Sequence, residues 1–284
     1  MRSSSAPDSD AFGARSVRIY DSPATLMASP GWTASLGPLV RADLRHRYAG
    51  SRLGAAWAVA APLVEVAAWL LVFGWLAGAA SGLDPLTFAV LVAAGLLPWS
   101  ALREALEGSS AALLENRWIR RSRVPPELLV ARAVAVSAVR ALIGILLVLA
   151  FVLLRGTVPS TLGLLLPWLA LVCQLATAFG IGLALAPLAP LHADLRAGLT
   201  SLLTLLTFAS PIVIPEPALP AGVLAAMEWN PFTHLLRMYR APLAGASGEV
   251  TAACVGIALA TGLAALLLGA AVQRRLAWAA RDRL

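Results

Sequence analysis

Long apolar runs broken by short, arginine-bearing polar segments dominate this chain. A helix needs about 20 apolar residues to cross about 30 Å of hydrocarbon. Six runs meet that length, at 56–78, 85–106, 131–154, 162–188, 197–215 and 250–272. The second is the least clean, because Pro98, Arg103 and Glu104 interrupt its latter half. The pattern predicts an all-α integral membrane protein, with six transmembrane helices over residues 56–272 and a short cytoplasmic tail at 273–284.

The segments between the runs carry their own patterns. Residues 1–37 read as a flexible cytoplasmic tail, rich in Ser and Pro early on and without a sustained period. Pro38, preceded by Gly37, suits the first turn of a helix. Val40, Leu44 and Tyr48 then form an apolar row flanked by Arg41, Arg45 and Arg52, so residues 38–55 predict an amphipathic helix lying in the headgroup plane. In the basic stretch 113–130, Val124 precedes the Pro125-Pro126 pair and is pushed away from helical geometry. A short helix should therefore end by about Arg123 and another begin at Pro126. This stretch is either an ordinary positive loop or a docking helix for a cytoplasmic partner. The segment 215–249 is longer than a simple connector needs. Phe232 to Leu243 predicts a helix within a partly re-entrant, structured segment.

Charge sets the expected orientation. With the N-terminus inside, eighteen arginines fall on the inner segments and three, Arg155, Arg237 and Arg240, on the outer ones. That bias places both termini in the cytoplasm. The first residues lack the apolar core of a signal peptide, so the first span is expected to drive insertion. The pI near 10.8 is spread along the spans rather than over one soluble face, so it does not indicate nucleic acid. All 22 basic residues are arginine. No phosphate-binding loop ending in Gly-Lys-Ser/Thr can exist here, so any ATP and Mg must be held by another chain. Cys173 and Cys254 sit in apolar stretches, which indicates no disulfide framework. The histidines are dispersed without metal spacing.

Away from the run ends, Glu65 and Arg140 are the ionisable residues inside spans. Each lies nine residues into a span of the same direction, about 13–14 Å deep. A lone charge at the bilayer centre costs about 2.5–3.5 kcal/mol, so the two are expected to pair or to share a polar cavity. Trp57, Trp75, Trp168 and Trp278 lie near span ends, as the aromatic belt requires. Trp69 and Trp99 lie deeper and suit either packing or a channel lining. Gly74 and Gly78 form a small-xxx-small spacing that allows close helix approach.

Three blocks resemble the membrane (permease) subunits of ABC exporters for polysaccharides, the group that carries O-antigen, capsule and teichoic-acid chains. The first, residues 39–74, holds Asp43, Arg47, Tyr48, Ser51, Leu53, Gly54, Trp57, Pro62 and Phe73. The second, 95–129, holds Gly95, Trp99, Asn116 and Pro125. The third holds Asp194, Ser210, Pro211, Pro220, Asn230, Pro231 and Arg240. The usual Arg-Asp pair before span five is Ala193-Asp194 here. The resemblance implies a homodimer paired with two copies of an ABC ATPase in the cytoplasmic (inner) membrane. Its substrate would be a lipid-linked polysaccharide, and the chain itself would carry no cofactor and no catalytic residue. Asn116, Arg117, Trp118, Arg120, Arg121, Arg123 and Pro125 would form the ATPase-coupling segment. Arg41, Asp43, Arg45, Arg47 and Tyr48 would lie on membrane lipids beside the same partner. Trp229, Asn230, Pro231, Arg237, Tyr239 and Arg240 would belong to the outer gate.

Other functions fit less well. An exporter of drugs or small lipids shares the architecture. An ion-driven secondary transporter would need paired acids near the midplane and repeated halves, and Glu65 alone qualifies. A membrane transferase would need clustered carboxylates, and Asp84, Glu216, Glu228 and Glu249 show no cluster in the sequence.

Overall fold

The computed structural model describes residues 31–47, 51–52, 54–82, 84–115, 125–156, 159–212, 214, 216, 219–243 and 250–282. Among these residues every regular element is helical. The order is α1 (Gly31–Arg47), a 3-10 turn (Gly54–Ala56), α2 (Trp57–Ser81), α3 (Pro85–Glu115), α4 (Pro126–Leu154), α5 (Thr161–Leu188), α6 (Leu195–Phe208), α7 (Ala221–Met227), α8 (Pro231–Arg240) and α9 (Ala252–Asp282). Among the described residues α3, α4, α5 and α9 are long and apolar enough to cross a membrane. The apolar part of α2 and the whole of α6 are shorter.

Local chemistry explains most boundaries. Asp84 caps α3: the Thr87 amide and hydroxyl donate to its carboxylate at 3.0 and 2.6 Å. Those bonds, the hydroxyl first, hold the Asp84 carboxyl below its ordinary pKa. Arg155, at the end of α4, reaches the same carboxylate at 2.6 Å. Gly82, at φ 65°, ends α2 in the left-handed conformation that glycine adopts without strain. Pro125 is extended (ψ 137°), and α4 begins at Pro126 as the proline pair predicts. Ser160 caps α5 by accepting from the Gly163 amide.

Three boundaries differ from the sequence expectation. First, α1 begins at Gly31, so Pro38 sits inside the helix rather than in its first turn. Leu36, Leu39, Val40, Asp43 and Leu44 are its half-buried positions, the i, i+3, i+4, i+7 face laid against α4. Burial along that face carries the helix through one missing amide bond. Second, α3 runs unbroken for 31 residues, about 46 Å, past Pro98 and the charges that follow. Gln174 of α5 donates to the Pro98 carbonyl at 2.9 Å, and Arg103 pairs with Glu107 one turn on. Third, α6 stops at Phe208, seven residues before the apolar run ends. Pro211 has no amide to donate and disfavours helical geometry at Ser210.

The core lies between α3, α4, α5 and α8, and α9 packs along α5. The backbones of α5 and α9 touch: a Cβ on Gly269 would sit 1.9 Å from the Gly180 carbonyl oxygen. Small residues thus permit the closest helix crossing, as in other membrane bundles. Gly74 and Gly78 lie in α2 but outside the residues whose packing is described. The outward faces of α2, α6 and α9 carry bare leucine, valine and phenylalanine, among them Leu71, Phe208 and Leu267. Such a surface suits hydrocarbon or another apolar protein face.

Candidate functional site

Two polar assemblies interrupt this apolar bundle. One is a cavity of about 320 Å³ where α2, α3, α4 and α6 converge. Its charged lining comes from Glu65 of α2, Arg103, Glu104 and Glu107 of α3, and Arg140 of α4. Arg140 donates to Glu65 at 2.5 Å and lies 3.4 Å from Glu104. The Ser100 hydroxyl donates to the other Glu65 oxygen, and Arg47 of α1 pairs with Glu104. Glu65 and Arg140 therefore meet across the bundle, as their common depth requires. Glu104 read from sequence as an interruption of a span. It is the link that joins this pair to α1. A second, looser ion pair faces Asp43 of α1 to Arg132 of α4 at 3.9 Å, beyond hydrogen-bond reach.

The linkage ranks two substitutions. Arg140→Gln leaves Glu65 with a hydroxyl partner alone, whereas Glu65→Gln leaves Arg140 beside Glu104. Arg140→Gln is expected to cost more, approaching the about 2.5 kcal/mol low end for an uncompensated charge in a bilayer. The double change should recover part of that loss. Thermal melting of the purified variants checks the order, and additive losses would contradict the pairing.

Trp69 and Trp99 also line the cavity. Trp99 is nearly inaccessible; its indole N–H donates to Thr207 at 2.8 Å, and its ring meets Phe232 edge-on at 4.8 Å. Trp69 is half-buried, with Phe208 at 6.2 Å.

The second assembly adjoins the first, about one turn away along α3, where Phe232 meets Trp99 and Arg240 reaches Leu91. Between α6 and α9 the chain turns at Ser210–Ile212, forms the short α7, and returns as α8. Asn230 caps α8 by accepting from the Phe232 amide at 3.0 Å and also donates to Ser210 at 2.7 Å. Pro231 supplies the first helical position. Every residue from Phe232 to Arg240 is buried, so α8 is enclosed by protein on all sides. Arg240, 1% exposed, donates to the carbonyls of Leu91 at 3.1 Å, Pro211 at 2.8 Å and Ile212 at 2.6 Å. The last two belong to the turn where α6 has ended, so the guanidinium replaces the missing helical donors. Gly95 makes room: a Cβ there would lie 2.9 Å from an Arg240 nitrogen and 2.7 Å from Leu236.

Arg237 sits one turn earlier on α8. Its Nε lies 3.0 Å from both Glu216 oxygens, and its Nη2 lies 3.1 Å from Glu228. Glu216 and Glu228 therefore do converge, on a cation rather than on each other. The sequence hid this because the carboxylates lie 21 and 9 positions from their partner. His234 contacts the Glu228 carbonyl at 3.0 Å and Cys254 at 3.5 Å. Tyr239 packs nearby, 2% exposed. Trp229 stands apart from the rest of the predicted gate, 91% exposed at the turn before α8. Tyr48, Asn116, Arg117, Trp118, Arg120, Arg121 and Arg123 lie outside the described residues. Arg41 and Arg45 are on the exposed side of α1.

Residues 39–243 match the family model described as ABC-2 type transporter, which takes in both assemblies. The chain belongs to the ABC-2 type transporter family. It is 26% identical over 203 residues to the polysialic acid transport protein KpsM of Escherichia coli, covering 70% of this chain and 76% of the relative. It is also 26% identical over 206 residues to the O-antigen export system permease protein RfbA of Myxococcus xanthus, covering 72% and 77%. The RfbA protein of Klebsiella pneumoniae is 22% identical over 204 residues. The ABC-2 region thus includes α2 to α8 and the cavity that α2, α3, α4 and α6 form, while α9 follows it.

Proposed function

We propose that this ABC-2 protein is the membrane subunit of an ATP-driven exporter of a lipid-linked polysaccharide. The observation that carries the reading is the ionic, tryptophan-bearing cavity that interrupts the apolar bundle where α2, α3, α4 and α6 converge. The relatives that match most of the chain are transport and export proteins for polysialic acid and O-antigen, which favours a glycan over drugs or small lipids. The absence of lysine supports a separate ATPase, which would hold ATP and Mg. In this reading α2 and α6 complete a set of six spans in the inner membrane, with both termini cytoplasmic. Two copies pair with two ATPases. The 116–125 segment and α1 meet the ATPase, and the ties from α1 to Glu104 and Arg132 give its movements a path into the bundle.

Deletion of the gene tests the reading. Surface glycan, followed by gel and by surface labelling, should disappear while a lipid-linked glycan accumulates inside. Co-expression with a cognate ATPase should give a complex whose ATPase activity is lost when the ATPase's own nucleotide site is mutated. Undiminished surface glycan in the deletion strain would refute the proposal.

A further inference from the structure

We propose, resting on the exporter reading, that the cavity between α2, α3, α4 and α6 receives one neutral, hydroxyl-bearing sugar ring of the cargo and rejects its phosphate linker. Volume is the first argument. Ligand cavities run from about 300 to 1,000 Å³, and this one, at about 320 Å³, has room for a ring rather than for a length of chain.

Charge is the second. Three carboxylates and two guanidiniums line the space, and Arg47, paired with Glu104 from α1, brings the two signs level. Both lining guanidiniums are committed, Arg140 to Glu65 and Glu104, and Arg103 to Glu107. A phosphate entering would lose its hydration, meet three carboxylates, and gain only cations already neutralised. A metal cation meets the converse problem, because each carboxylate already faces an arginine. A neutral polyol meets neither. An ionised carboxylate has about four lone-pair sites and a guanidinium five N–H donors, so paired groups still accept and donate to hydroxyls.

The third argument is the presence of indoles in so polar a space. A sugar ring carries hydroxyls at its rim and C–H bonds on its faces. Trp69, half-buried in the wall from α2, offers part of its ring to the space, while Trp99, 3% exposed and held by Thr207 and Phe232, backs that wall. Water or ions alone would gain nothing from the exposed part of the Trp69 ring, whereas an amphipathic pyranose uses both kinds of surface.

The test uses the full chain in lipid nanodiscs and saturation-transfer difference NMR. Methyl glucoside and methyl N-acetylglucosaminide are the neutral probes, and inorganic pyrophosphate is the anionic competitor. Wild type should transfer saturation to the ring protons of at least one glycoside, undisturbed by pyrophosphate. Trp69→Leu should reduce that transfer about fivefold, the weight of one aromatic contact, in protein whose melting temperature falls by a few degrees but that stays folded at the temperature of the experiment. Glu107→Gln frees Arg103 and should make glycoside binding sensitive to pyrophosphate. Absence of transfer in wild type, equal transfer in Trp69→Leu, or displacement by pyrophosphate from wild type would each overturn the proposal. If any of these occurs while the deletion strain lacks surface glycan, the subsite falls and the exporter stands. If the deletion strain keeps its surface glycan, the exporter reading falls whatever the cavity binds.

Discussion

Arg240→Met is expected to be among the most damaging single changes in this protein. Methionine matches the length of the side chain and removes a buried charge, which alone can be neutral or even stabilising. The carbonyls of Pro211 and Ile212 decide the outcome. Both lie in the turn after α6, where no helical amide serves them, and both accept from Arg240. Leaving them bare in a dry site costs about 1–3 kcal/mol each, about 2–6 kcal/mol together. Arg240→Lys should recover only part of that loss, because a single ammonium cannot reproduce the three-way fork. Gly95→Ala should act in the same direction by crowding the guanidinium. The readouts are the melting temperature of purified protein and protease cleavage between residues 209 and 230. A normal melting temperature with an uncleaved turn in Arg240→Met would show that the carbonyls find other donors.

The second large effect is expected at the crossing of α5 and α9. Glycine to alanine inside a helix ordinarily stabilises by about 1 kcal/mol. At Gly180 a Cβ would lie 2.3 Å from the Ala265 carbonyl carbon, and at Gly269 it would lie 1.9 Å from the Gly180 oxygen. Both obstacles are backbone, so no side chain can swing aside and the helices must separate. Overpacking costs about 1–3 kcal/mol in cores where side chains can yield, and here the cost should reach or pass the top of that range. Gly256→Ala provides the comparison, since it lies on the same α9 with open space around it. Gly256→Ala should melt at or above wild type and Gly180→Ala well below it. Equal melting of the two would show that the crossing is not as close as described.

The apolar runs gave away the helices because each length and composition has one physical use in a bilayer. Pairing of Glu65 with Arg140 was also legible, since two lone charges at one depth have few alternatives. The role of Glu104 was not, because a charge after a proline looks the same whether it ends a span or bridges two helices. Arg240 could be singled out on its long outer segment, but not its three carbonyls, which come from α3 and from a turn about 28 residues earlier. The true end of α6 was written in Ser210-Pro211 and obscured by the apolar residues that follow. Gly180 and Gly269 carry no local motif. Only their opposition across two helices reveals them.

The length of α6 has one more consequence. Fourteen residues make about 21 Å of helix, against about 30 Å of hydrocarbon. In the six-span reading proposed above, insulation against ions beyond Phe208 falls to protein rather than lipid, to the enclosed α8 and the turn that Arg240 fastens. Electrical tightness there would be a property of this sequence rather than of the bilayer. A thicker or stiffer membrane would not repair a leak opened by loosening that turn.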